Sequence, residues 1–160
     1  MVASGSNRVY VTIDEIPKDL QHAFVAIEDE RFYDHNGIDL QGILRAGVRG
    51  ITHGFHFSEG ASTITQQLLK NNVFTGWTSE SSFSDKLERK LQEQYLAVQL
   101  EKSVSKDWIL ENYLNSINLG QNTLGVQSAS RRYFNKDVSE LNISESALSL
   151  IHISEPTRHS

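Results

Sequence analysis

Ser62-Thr63-Ile64-Thr65-Gln66-Gln67-Leu68-Leu69-Lys70 reads as a capped helix start. Ser62 or Thr63 can accept backbone N–H groups that the first turn leaves unpaired. Ile64, Leu68 and Leu69 recur at the spacing of a buried helical face. Thr63, Gln66, Gln67 and Lys70, three and four apart, line another face, and the helix is expected to run through Asn71. Hydroxyls, carboxamides and a base concentrated on one short helix are more chemistry than a purely structural element needs.

The same periodicity recurs on both sides of this helix. Downstream, Phe83 to Lys102 reads as a long helix on which Leu87, Leu91, Tyr95 and Val98 form an apolar stripe. At 100° per residue Glu93 falls on the far side of that stripe, within roughly 60° of Leu96 and Leu100, so its face is not simply a solvated one. Ser105 caps the next helix, with Trp108, Ile109, Tyr113, Leu114 and Ile117 inside and Gly120 ending it. Short helices follow over 125–134 and 144–150. Upstream, Val9 and Val11 alternate around Tyr10, the pattern of a short strand over 8–12. Pro17 suits the first turn of a helix carrying Leu20, Phe24 and Ile27 to about Phe32. Asp39 can cap another helix with Leu40, Ile43, Leu44, Gly47 and Ile51 on one side and Arg45 and Arg49 on another. Phe55 and Phe57, in the loop after it, admit two readings: seats on a lipid surface, or core side chains. The chain is therefore mainly α, with at most one or two short strands.

Composition narrows the function. The 160 residues fit one domain, and a 38% hydrophobic and 22% charged content argues against disorder. A formal net charge of −5 disfavours a general nucleic-acid binder. Without cysteine there is neither a disulfide nor thiolate chemistry. No run approaches the roughly 20 apolar residues of a membrane span, and no signal peptide opens the chain; membrane contact is expected to be peripheral, with any anchor outside this sequence.

Two carboxylates carry the chemical argument. Glu28 and Asp29 sit near the end of a helix, where the dipole disfavours acids; they are either functional or a solvated helix end. Glu93 lies three and four residues after Lys90 and Arg89, an ordinary intrahelical ion pair or part of a site. Acids on separate helices are the minimum for acid–base work at a glycosidic carbon, which alone suggests a glycan hydrolase. Lys70, Arg89 and Lys90 change the balance, because cations suit an anionic leaving group such as a diphosphate. Sugar transfer from a diphosphate-linked donor uses both halves.

Four stretches in order, Glu28-Asp29-Glu30-Arg31-Phe32-Tyr33-Asp34-His35-Asn36-Gly37, Gly60-Ala61 through Lys70, Arg89-Lys90-Leu91-Gln92-Glu93 and Ile109-Leu110-Glu111-Asn112-Tyr113-Leu114-Asn115, resemble the motifs of the family 51 peptidoglycan glycosyltransferases. These form the transglycosylase domain of class A penicillin-binding proteins and the monofunctional enzymes. The resemblance implies a lysozyme-like helical fold and processive, inverting polymerisation of lipid II, with undecaprenyl diphosphate leaving, at the outer face of the bacterial cytoplasmic membrane. It implies Glu28 as the base that deprotonates the acceptor's 4-hydroxyl. Glu93 assists at the diphosphate, directly or through a divalent metal, Mg, that it helps to hold. Lys70, Arg89 and Lys90 neutralise the leaving group; Asp29, Phe32, His35, Ser62, Thr63, Gln66 and Gln67 bind and position substrate. For His35, tying the loop after the first helix is an equal reading, and Asn112 and Asn115 read as structural polar contacts. The partners implied are lipid II, the growing glycan strand and the membrane surface. A lysozyme-like hydrolase and an inactive lipid II-binding module remain as alternatives.

The resemblance makes 8–150 a C-terminally truncated glycosyltransferase domain after a disordered leader at 1–7. It departs in three places: Asp85 and Lys86 stand where the family often has a further base, the loop 72–84 is long, and 151–160 reads as a non-native tail. Ser103-Val104-Ser105-Lys106 and Ser116-Ile117-Asn118 superficially fit transpeptidase motifs, but lie too close together and lack a Lys-Thr-Gly; they read as coincidence.

Overall fold

A computed structural model describes residues 9–52, 62–73, 83–120 and 123–147. The expectations for 1–7, for Phe55 and Phe57, for most of the loop 72–84 and for 151–160 lie outside the described residues. Six helices are named among the rest: α1 (Lys18–Glu28), α2 (Leu40–Thr52), α3 (Ile64–Asn72), α4 (Phe83–Ser103), α5 (Lys106–Ser116) and α6 (Val126–Phe134). A further helical stretch occupies 143–147. Among the described residues the only β pairing is an isolated bridge between Asn118 and Leu124, so the chain is mainly α, as its periodicity predicts. It forms two compact units, one of Met1–Phe24 with Asp107–Ser160 and one of Val25–Lys106.

In the first unit, residues 9–12 of the strand expected over 8–12 are described, and they pair with no strand among the described residues; Thr12 is extended. Asn115 takes the partner's place: Val11 N–H donates to its Oδ1 at 2.9 Å, and its Nδ2 donates to Val11 C=O at 2.8 Å. A carboxamide carries one donor group and one acceptor, so it satisfies a backbone residue as a neighbouring strand does. Ile109, Leu110, Tyr113 and Leu114 are fully buried along α5, each worth about 1.5–3 kcal/mol of burial. Phe24 meets Tyr113 edge-on with centroids 6.3 Å apart. Trp108, expected inside, is instead 44% exposed. Asn112 Nδ2 donates to the Trp108 carbonyl one turn back, the structural role expected of it.

The second unit holds the motifs. α1 ends at Glu28, about a turn before the expected Phe32, because the Asp29 side chain is committed to α3 and the chain turns through Phe32 N–H to Asp29 C=O and Asp34 N–H to Arg31 C=O. Asp39 caps α2 as predicted, its Oδ1 accepting from Gly42 N–H at 3.0 Å. Leu40, Leu44 and Val48 on α2 are exposed. On α4 the apolar stripe is inverted relative to a simple amphipathic reading: Leu87, Leu91 and Tyr95 are exposed, whereas Glu93 and Ala97 are buried. Gly37 makes this packing possible. Its φ is +93°, and a Cβ there would stand 2.7 Å from the backbone carbonyl of Ala97, so the turn after α1 lies directly on the α4 backbone.

Candidate active site

The start of α3 is the hub of the site. Thr63 closes a capping box with Gln66: Gln66 N–H donates to Thr63 Oγ1 at 3.2 Å, and Thr63 N–H donates to Gln66 Oε1 at 3.0 Å. Thr63 Oγ1 in turn donates to Gly37 C=O at 2.8 Å. Thr63 and Gln66 are therefore buried architecture, and the face expected from 63, 66, 67 and 70 runs from core to solvent. Ser62 and Gln67, which flank the cap, are the two that turn outward toward the acids.

Through them the structure joins both predicted carboxylates. Gln67 Nε2 donates to Glu28 Oε2 at 3.0 Å and lies 3.5 Å from Ser62 C=O. Lys90 Nζ donates to Ser62 Oγ at 2.8 Å and to Glu93 Oε1 at 2.7 Å. Arg89 Nη1 reaches Glu93 Oε2 at 3.4 Å. Glu93 is only 2% exposed, so its carboxylate is held in the interior by two cations rather than forming an ordinary surface pair. Lys90, at 37% exposed, bridges that buried acid to the surface. Lys70 stands exposed on the last turn of α3, and no described contact joins it to this line.

Both Glu93 oxygens face cations. Among the described residues no cluster of three His, Asp or Glu side chains could hold a metal ion.

Among the remaining first-motif residues, Asp29 and His35 tie the start of α3 to the turn after α1. Asp29 Oδ2 accepts from Ile64 N–H at 2.9 Å, the first helical N–H of α3. His35 Nε2 lies 3.0 and 2.9 Å from the two Asp29 oxygens, and Gly37 N–H donates to His35 Nδ1 at 3.1 Å. With Nδ1 accepting, the imidazole carries its proton on Nε2 and donates to Asp29. Of the two readings of His35, its contacts are those of the loop tie. Phe32 is fully buried, with Lys106 Nζ 4.4 Å above its ring. The sequence assigns no place in the site to three residues of this surround: Thr65, Glu101 and Lys106. Thr65 Oγ1 donates to Glu101 Oε1 at 2.5 Å, and Lys106 Nζ pairs with Glu101 Oε2 at 2.6 Å. That pairing, with Ser103 Oγ donating to Gln99 C=O, accounts for the Ser-x-x-Lys coincidence.

A family model described as transglycosylase matches residues 1–160. The chain belongs to the transglycosylase family. Over 149 residues it is 49% identical to penicillin-binding protein 1A of Clostridium acetobutylicum, covering 91% of this chain and 18% of that protein. Over 142 residues it is 47% identical to penicillin-binding protein 1F of Bacillus subtilis, covering 89% of this chain and 19% of the relative. The chain thus spans about a fifth of the length of the curated relatives it matches. Within this transglycosylase chain the first three motifs converge on the start of α3, and the fourth, Ile109 to Asn115, supplies the buried face of α5 and the Asn115 clasp.

Proposed function

We propose that this chain is the peptidoglycan glycosyltransferase part of a larger protein, polymerising lipid II into glycan strands with inversion. The observation that carries the reading is the line Glu28, Gln67, Ser62, Lys90, Glu93, in which a carboxylate and a cation-held acid flank one polar helix start. Glu28 takes the proton of the acceptor's 4-hydroxyl, and the freed oxygen attacks the donor's anomeric carbon from the side opposite the diphosphate. The carbon–oxygen bond to the diphosphate breaks, and its electron pair leaves with undecaprenyl diphosphate. Lys90 and Arg89, oriented by Glu93, stand ready to take that developing charge, and exposed Lys70 adds a third cation. Gln67 orients the Glu28 carboxylate through its amide. A hydrolase acting on neutral glycan has no use for this cation set. Magnesium would be held by the donor's diphosphate oxygens and would add positive charge at the leaving group.

The exposed Leu40, Leu44 and Val48 on α2, four residues apart, support a peripheral seat on the outer face of the cytoplasmic membrane. No helix among the described residues is long and apolar enough to cross a membrane.

The test is lipid II polymerisation in detergent by the wild type and by Glu28→Gln. The amide cannot accept the proton, so polymer should vanish while the melting temperature holds. Glycan strands made by the variant at the wild-type rate would sink the assignment. Release of muropeptides from preformed glycan would favour the hydrolase, and saturable lipid II binding without product the inactive module.

A further inference from the structure

We propose that Glu101, acting through Thr65 and Lys106, is a positioning residue that sets the register of α3 against both catalytic carboxylates. Glu93, Ala97 and Glu101 follow one another at four-residue steps on α4, and the Glu101 side chain is 3% exposed. A carboxylate in that setting costs more than an apolar side chain would unless its oxygens are occupied. Both are, by groups from different segments. Thr65 Oγ1, in the first turn of α3 and fully buried, donates to Oε1 at 2.5 Å; Lys106 Nζ pairs with Oε2 at 2.6 Å.

Lys106 Nζ also donates to His35 C=O at 2.7 Å, and the His35 ring stands with Nδ1 4.0 Å from Glu101 Oε1. His35 holds Asp29, and Asp29 accepts Ile64 N–H. The polar contacts therefore close a ring: Glu101, Lys106, His35, Asp29, Ile64, Thr65 and back to Glu101. Two adjacent α3 residues are gripped from two sides, Ile64 by its N–H and Thr65 by its hydroxyl. They lie between Ser62, which reaches Lys90, and Gln67, which reaches Glu28. Any slide or rotation of the α3 start would shift the Glu28 partner and the Lys90 partner together. Groups fixed in this way by fully satisfied polar contacts specify one arrangement rather than merely adding stability, and a misplacement of about 1 Å near reacting groups costs on the order of 100-fold in rate.

This inference rests on the transferase reading of Glu28 and Glu93, and the experiment separates the two. The full chain is compared as wild type, Thr65→Val, Thr65→Ser, Glu101→Gln and the Thr65→Val/Glu101→Gln double variant. Initial polymerisation rates with lipid II, read against donor concentration, are set beside amide hydrogen exchange. Thr65→Val and Glu101→Gln should each lower kcat by about 10- to 100-fold with KM for donor within about twofold, and the double variant should be no worse than the lower single. Thr65→Ser, which keeps the hydroxyl, should retain the wild-type kcat. Exchange in Thr65→Val should accelerate at residues 64–67 while the middle of α4 stays protected. A Thr65→Val protein with wild-type kcat and unchanged exchange overturns the proposal, as does a Thr65→Ser protein as slow as Thr65→Val. If the wild type makes no polymer, the transferase reading fails, and the exchange at 64–67 alone decides the positioning role. Thr65→Val keeps the side-chain shape, so the test stands even where Glu101→Gln does not fold.

Discussion

Replacing Gly37 by alanine should be among the most damaging single-methyl additions in this chain, and the structure allows its size to be worked out. The backbone at Gly37 has φ +93°, and a Cβ would fall 2.7 Å from both the carbonyl carbon and oxygen of Ala97 and 2.9 Å from Val98 N. Holding a non-glycine residue in such a conformation costs about 1–3 kcal/mol. The clash adds about 1–3 kcal/mol of overpacking, because the atoms it meets are helix backbone and cannot rotate away. The sum, about 2–6 kcal/mol, is a large part of the roughly 5–15 kcal/mol by which a domain is stable. Gly47→Ala is the control: it lies within α2, its added Cβ meets nothing within 4 Å, and it should stabilise by about 0.4–1 kcal/mol. Urea unfolding followed by far-ultraviolet circular dichroism measures both, with m compared to confirm that the same surface is exposed. A Gly37→Ala protein within about 1 kcal/mol of wild type would refute the claim that the turn after α1 rests on the α4 backbone.

Three further expectations follow from the site and its surround. Lys90→Met leaves Glu93 buried with Arg89 alone; breaking a fully buried pair costs about 3–5 kcal/mol, and the partial exposure of Lys90 brings this to about 1–3 kcal/mol, while Lys90→Met/Glu93→Gln should recover the stability, in urea unfolding, but not polymerisation. At Asp39, burial pushes the carboxyl upward but is outweighed by hydrogen bonds from Arg31 and Gly42 N–H, so its pKa is depressed; the stability it adds is present above the unfolded pKa and lost as pH falls through the folded one. Asn is an equally good cap, so Asp39→Asn should lose only a few tenths of a kcal/mol near neutrality and converge with wild type once the pH falls below the depressed folded pKa of Asp39, read from melting temperature against pH. Millimolar magnesium should leave the melting temperature of the chain unchanged without donor, since a ligand bound by the folded state raises it; a rise of several degrees would place a metal on the protein itself.

Much of the local structure is legible in the sequence because its causes are local. A capping oxygen three residues before the N–H it accepts, as at Asp39 and Thr63, is a matter of side-chain type and spacing, and so are the helices that follow. The two acids were legible as well, along with the bases beside Glu93. Local rules fail where a distant partner decides. Val9, Tyr10 and Val11 alternate as a strand does whether the partner is a strand or Asn115, about a hundred residues away. Asp29 ends α1 early because Ile64, 35 residues on, takes its carboxylate.

The face of α4 is the sharpest case. Periodicity alone assigns Leu87, Leu91 and Tyr95 to one side and Glu93 to the other, but says nothing about which side finds a neighbour. The tertiary structure put the side with Glu93, Ala97 and Glu101 in the interior. It did so because Gly37 lets a turn rest on Ala97, and because Lys90, Arg89, Thr65 and Lys106 supply the charges and hydrogen bonds without which two carboxylates could not leave water. Helical periodicity and the candidate site residues are readable along the sequence; which of those residues are held inside, and by what, is a property of contacts between segments far apart in the chain.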